Sequence, residues 1–210
     1  MKKYSNIIHL AFLVLILCFC SCIKIENNEQ DKNTIYGSGG LTTHNLSIDS
    51  FSKINLTGQA KITVVKGDTQ SVAVRAQQNI FDVLDIHSSS SNLFIGVKDN
   101  YSINTQEGIF VDIVSPTAIT DVSIVGSGDL IISGSNQESF NVSITGAGNF
   151  SAYGLDVDNA DINISGAAVC SVKVNKTLTI IISGAGTVKY KGNPSISQSI
   201  AGVGSVINEN

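Results

Sequence analysis

Basic charge, histidine and cysteine are all scarce in this sequence, and each shortage removes a class of function. The 210 residues carry 13 Lys and Arg against 17 Asp and Glu. Without Lys2 and Lys3, which lie in an N-terminal segment treated below as removable, 11 basic side chains face 17 acidic ones, a net charge of −6. Such a balance argues against nucleic acid and anionic lipid as partners, since both require neutralising cations. Of the three histidines, His9 sits in the apolar N-terminal run, and His44 and His87 stand far apart. No H-E-x-x-H, G-x-S-x-G or C-x-x-C pattern occurs, so neither a metal site nor a nucleophilic triad is expected, and no cofactor is implied. Beyond residue 22 the only cysteine is Cys170, which excludes an intramolecular disulfide there and leaves stability to packing. Tryptophan is absent and only 14% of the chain is charged, while Gly, Val, Ile, Ser, Thr and Asn abound. That composition favours strands and tight turns over helices, and we expect an all-β protein.

What is present begins with Lys2 and Lys3 ahead of an apolar run from Ile7 to Phe19, the layout of a secretory signal. The run is too short and interrupted to favour a membrane-spanning helix. It ends in Phe19-Cys20-Ser21-Cys22, where a small residue directly before a cysteine resembles a bacterial lipobox. Cys22 fits as the lipidated residue; Cys18 and Cys20 follow the bulky Leu17 and Phe19 and fit poorly. An ordinary cleaved signal or an uncleaved anchor are the alternatives. The expected organisation is a lipoprotein signal peptide over residues 1–21, a polar tether over 22–40 and one domain over 41–210. Two or three acyl chains would hold the chain stably on a membrane, where one would not. The tether is rich in Glu, Asp, Asn and Gly and poor in apolar residues. Its Glu26 and Glu29 resemble the surface-export signal of some Gram-negative lipoproteins, which points to an outer-membrane lipoprotein exposed at the surface.

The domain is built on a repeat. Gly126, Gly146, Gly166, Gly184 and Gly202 align one short motif at intervals of 20, 20, 18 and 18 residues. Two residues before each stand Ile124, Ile144, Ile164, Ile182 and Ile200; four before stand Val122, Val142, Ile162 and Ile180, with Gln198 breaking the series. Four residues after come Leu130, Phe150, Cys170, Val188 and Val206. Even offsets are apolar and odd ones mostly polar, a period of two that means strands with one face buried. Two residues after the aligned glycine stand Gly128, Gly148, Ala168, Gly186 and Gly204, a place that admits only a tiny side chain. A phosphate-cradling glycine loop needs a helix behind it, and no amphipathic helix follows any copy. The period instead predicts a solenoid, namely a single-stranded, right-handed parallel β-helix with coils of 18–20 residues. An earlier copy surrounds Gly58, with Ile54, Leu56, Ala60, Ile62 and Val64 at the inward offsets. Alternating runs at Val72–Ala76, Leu93–Val97 and Ile109–Val114 are expected to form wider coils at the N-terminal end.

Several of these stretches carry a family likeness. "FSKINLTGQAKITVVKGD" from Phe51, "NLFIGVKDN" ending at Asn100, "GIFVDIVSPTAITDVSIVGSGD" from Gly108 and the serial Ser/Thr-Ile-x-Gly-x-Gly units resemble the family called putative auto-transporter adhesin, head GIN domain. The resemblance runs from about Leu41 to Asn210. It implies a right-handed β-helix on a secreted or lipid-anchored bacterial protein, a role in adhesion, and no catalytic residues.

Carboxylates are the remaining chemical candidates, because many β-helices cleave acidic polysaccharides with clustered aspartates on one flank. Asp156, Asp158 and Asp161 form the densest group. Asp158 shares its column with Glu138 and Lys176 on neighbouring coils, which reads as a solvated ladder of charges. Asp161 falls in a column of turn formers with Asp121, Asn141, Thr179 and Ser197. Cys170, inward between Phe150 and Val188, reads as a buried inert thiol. The expectation is a lipid-anchored envelope module, not an enzyme, contacting a glycan or protein through its flank. The alternatives are a polysaccharide-degrading enzyme and a structural component that self-associates through its last coil, Ile200–Asn210.

Overall fold

A computed structural model describes residues 33–210. The expected signal peptide, the proposed lipidation site Cys22 and the first part of the tether lie outside these residues. The fold is all-β: strands make up 69% of the described residues, and the sheet is strongly curled. The one helix among the described residues, α1, is the four-residue turn Gln78–Phe81.

The aligned copies of the repeat form parallel strands. Strands β3 (Lys53–Gly58), β10 (Asp121–Gly126), β12 (Gln137–Gly146), the second half of β13 (Asn149–Gly166), the second half of β14 (Val169–Gly184) and β16 (Ser195–Gly202) pair side by side in parallel. The register places Gly58, Gly126, Gly146, Gly166, Gly184 and Gly202 in one line. Beyond this glycine corner a second parallel column forms from β4 (Lys61–Lys66), β11 (Asp129–Ser133), the first halves of β13 and β14, β15 (Thr187–Lys191) and β17 (Ser205–Asn208). Each repeat therefore supplies one strand to each column, and successive repeats lie on one another.

Both inward parities fill one core. Ile54, Leu56, Ile124, Ile144, Ile164 and Ile182 from the first column are buried, as are Ile62, Leu130, Phe150, Cys170 and Val188 from the second. Phe140 and Phe150 stack inside it with ring centroids 5.7 Å apart. These aliphatic ladders drive the fold, because each layer removes apolar surface from water only by lying on its neighbour.

The corner is steric. Gly126, Gly146, Gly166, Gly184 and Gly202 all have φ between +123° and +133°, and a Cβ on any of them would lie under 3.0 Å from the carbonyl group of the glycine in the layer beneath. That close approach lets the next residue's N–H reach the same carbonyl: Ala147 donates to Gly126 O at 2.9 Å, Ala167 to Gly146 O at 2.8 Å and Ala185 to Gly166 O at 2.9 Å. Hydrogen bonding thus continues unbroken around the bend. At Gly128, Gly148, Gly186 and Gly204 an added Cβ would instead strike an Ile or Leu side chain or the backbone of a neighbouring layer.

Toward the N-terminal side the expectation of wider parallel coils holds for the runs at Leu93–Val97 and Ile109–Val114 and fails for the run at Val72–Ala76. Between β4 and β10 the chain adds β5 (Ser71–Gln77), α1, β6 (Leu84–Ser89), β7 (Asn92–Val97), β8 (Tyr101–Asn104) and β9 (Phe110–Ser115). β7 and β9 run parallel to β3 and β4, whereas β5 is antiparallel to both β9 and β2 (Leu41–Leu46), and β6 is antiparallel to β7. Connection length explains the reversals. Gly67–Gln70 alone links β4 to β5, and the β6–β7 turn holds Ser90 and Ser91 at φ 49° and 62°; connections so short reverse a strand rather than carry it over to a parallel neighbour.

The tether also ends earlier than expected. Asn33–Tyr36 forms β1, parallel to β8, with Thr34 Oγ1 and Ser102 Oγ sharing a 2.7 Å hydrogen bond. The buried Gln77 donates to Gly39 O at 2.7 Å and accepts from Thr105 Oγ1 at 2.7 Å, which ties down the glycine-rich stretch. The partners of this segment lie some distance along the chain, so composition alone gave no sign of them.

Candidate binding surface

The odd offsets of the first column all face outward, so the stacked register lays unlike sequence positions into rows across the strands. One row runs Phe94, Asn55, Ser123, Ser143, Asn163, Ile181, Ser199. Beside it runs Asn92, Lys53, Asp121, Asn141, Asp161, Thr179, Ser197. Adjacent strands lie about 4.8 Å apart, so polar side chains recur at about that interval along each row. Between the rows at the N-terminal end opens a shallow groove of about 250 Å³, lined by Asn55, Asn92, Asp121, Ser123, Asn141 and Ser143 among others.

The groove's polar side chains hold one another in place. Asn55 Nδ2 donates to Asn92 Oδ1 at 3.0 Å, and Asn141 Nδ2 donates to Asp121 Oδ1 at 3.1 Å. Thr120 Oγ1 donates to Asp121 Oδ2 at 2.7 Å, and Lys53 Nζ lies 3.6 Å from the same carboxylate. Burial would raise the pKa of Asp121, but the bonds from Thr120 and Asn141 and the Lys53 charge outweigh it and hold the carboxyl below its ordinary range. The groove's carboxylate is therefore fixed, ionised and oriented at neutral pH. Phe94, 36% exposed, stands at the end of the row, its ring stacked on His87 with centroids 5.1 Å apart.

The three candidate aspartates do not form one site. Asp156 and Asp158 share a second surface depression with Asn136, Gln137, Glu138, Asn175 and Lys176, while Asp161 belongs to the polar row of the first column. Lys173 Nζ lies 2.5 Å from Asp156, and Lys176 Nζ lies 2.8 Å from Asp158. Hydrogen bonding from Lys176 holds Asp158 below the usual carboxylate range, and Asp158, with Glu138 behind it, raises Lys176 in turn. The pairing of Asp158 with Lys176 beside Glu138 is the ladder of ion pairs expected for this column. No group of three or more metal-ligating side chains occurs among the described residues. Cys170 is fully buried, and burial pushes its thiol far up, as its column predicts.

A further cluster covers the outer face of the second column. Tyr153 Oη donates to Glu209 Oε2 at 2.7 Å, Lys189 Nζ lies 2.9 Å from Glu209 Oε1, and Lys191 Nζ sits 4.7 Å from the Tyr153 ring centroid. Burial, then the bond to Glu209, push the Tyr153 phenol up to about 12. The sequence reading singled out neither this cluster nor Phe94. Parity alone aims Phe94 outward, since Leu93 and Ile95 face in, but its place beside Asn55 depends on β7 stacking against β3.

Comparison with known families decides the relationship: the sequence profile described as "Putative auto-transporter adhesin, head GIN domain" matches residues 50–151 and 119–194. The chain belongs to that family. Its two overlapping matches start in the layer built on Gly58 and run through the repeats marked by Gly126, Gly146, Gly166 and Gly184. No curated protein matches the chain. Among solved structures, one described as a putative lipid binding protein from Parabacteroides distasonis shares 20% identity at a TM-score of 0.53, covering 85% of this chain and all of that one. Putative adhesins from Bacteroides fragilis and Parabacteroides merdae align at 20% and 18% identity with TM-scores of 0.48 and 0.46, covering 83% and 85% of this chain and 99% and 100% of theirs. At such identities the likeness concerns the fold, which this family member shares with the P. distasonis protein.

Proposed function

We propose that this member of the family is a lipid-anchored binding module of the bacterial cell surface that contacts a glycan, or failing that a protein, through the outer face of its first strand column. The observation that carries the reading is the row Phe94, Asn55, Ser123, Ser143, Asn163: an exposed ring followed by amide and hydroxyl groups at the strand spacing. Such a row can stack on one sugar ring and hydrogen-bond the hydroxyls of those that follow, without needing a deep pocket. The fixed Asp121 carboxylate adds an acceptor for sugar hydroxyls beside it.

The anchor in this reading is Cys22, and the stack is a right-handed coil. The family's adhesin description and the acidic, histidine-poor composition support a binding role without catalysis or cofactor. A glycan-array screen tests it. Phe94→Ala and Asn163→Ala should each lower the captured signal about tenfold with unchanged circular dichroism. A blank array together with retention of host or bacterial surface protein moves the ligand to the protein class; capture of neither refutes the proposal.

A further inference from the structure

The two ends of the stack are finished differently. At the N-terminal end Phe51, Ile80 of α1 and Leu84 of β6 are buried, so the last layer there is covered. At the opposite end β16 pairs with β14 alone among the described strands, and all eight of its residues are exposed. Ile196 and Ile200, which continue the inward ladders of Leu178 and Ile182, remain 38% and 37% exposed, and Val203 at the corner is 83% exposed. Edge strands usually carry a charge, a proline or a bulge that blocks further pairing. From Ser195 to Asn208 there is no charged residue and no proline.

We propose that this edge joins a second copy of the same chain, β16 lying antiparallel to β16 of its partner about a twofold axis through Gln198. The sequence of the strand is what commits the edge to itself. Ile196-Ser197-Gln198-Ser199-Ile200 reads the same in both directions. In an isologous contact residue i meets j and j meets i, so a strand centred on Gln198 sets Ile196 against the partner's Ile200, Ser197 against the partner's Ser199, and Gln198 against the partner's Gln198. Aliphatic meets aliphatic on the inner face and hydroxyl meets hydroxyl on the outer. The glutamine, the one residue that breaks the aliphatic column, finds a group that satisfies both its donor and its acceptor: an identical amide across the axis. The joining strand brings no charge into the union, and the open ends of two cores face each other.

Light scattering of the full chain in detergent micelles reads the protein mass. A dimer is expected at high micromolar concentration. Gln198→Glu sets two carboxylates face to face and should weaken the dimer about 100-fold at neutral pH, since like charges in contact oppose association strongly. Association should return below about pH 4, where the carboxyls are protonated. Gln198→Glu lies on an exposed strand, and unchanged circular dichroism confirms that the chain still folds. Should it unfold, oxidation of Gln198→Cys replaces it, with a 198–198 disulfide between copies as the expected product. A wild-type monomer overturns the proposal, as does a dimer indifferent to Gln198→Glu or a Gln198→Cys dimer linked through other cysteines.

Discussion

Alanine at Gly58 and alanine at Gly166 separate two costs that the glycine corner combines. Both glycines hold positive φ, +102° and +133°. At Gly58 an added Cβ meets nothing within 4 Å, whereas at Gly166 it would lie under 3.0 Å from the Gly146 carbonyl oxygen. Gly58→Ala therefore pays only for backbone conformation. That cost is about 1–2 kcal/mol, offset by about 0.4–1 kcal/mol from a less flexible unfolded chain, for a net loss of about 1 kcal/mol. Gly166→Ala bears the same loss and also forces two layers apart. Overpacking of this kind costs about 1–3 kcal/mol, and the 2.8 Å bond from Ala167 N to Gly146 O is worth about 1 kcal/mol more. The sum is about 4 kcal/mol. For a domain of this size each kcal/mol lowers Tm by about 2–4 °C, so thermal unfolding followed by circular dichroism should drop by about 3 °C for Gly58→Ala and by about 8–16 °C for Gly166→Ala. Equal shifts, or a larger one at Gly58, would refute the argument that interlayer contact, and not conformation alone, selects glycine at the corner.

Ile164→Asp buries an unpaired carboxylate at a position with no solvent exposure and should abolish cooperative unfolding; a retained sharp transition would contradict the inward parity. Glu209 is held below its ordinary range by Lys189 and then by Tyr153. A depressed carboxyl stabilises the fold above its unfolded pKa of about 4.3 and loses that contribution as pH falls through the folded value. Glu209→Gln should accordingly flatten the acid limb of Tm against pH, and a limb left unchanged would remove Glu209 from the account. Spectrophotometric titration of the tyrosines should contain a step near 12 that disappears in Tyr153→Phe. Acidic glycans incubated with the wild type should remain intact, as with Asp156, Asp158 and Asp161 all changed to Asn; turnover by the wild type that the triple variant loses would restore the enzyme reading.

The parity of the repeats was legible because burial on one face of a strand leaves a period-two trace in the chain, and the corner because only glycine tolerates that backbone and that contact. Alternation alone puts Ile144, Ile164 and Ile182 inward, and the repeat length alone sets Gly126, Gly146, Gly166, Gly184 and Gly202 in one line, as the structure has them. The charge ladder of Glu138, Asp158 and Lys176 followed from the same spacing, since steps of one repeat, 20 and then 18 residues, bring equivalent side chains together. Where the repeat lapses, between Lys66 and Thr120, the chain still announced its strands but not their partners. Strand direction there depends on the reach of short connections, and the neighbours of a strand depend on which layers the chain revisits. Hence β3 lies directly beneath β10 although 62 residues separate Gly58 from Asp121. Alternation in a sequence determines which side of a strand faces oil and which faces water. Only the tertiary structure decides which strands lie side by side, and so which outward side chains form a row, because that choice is made by contacts between segments that carry no record of one another.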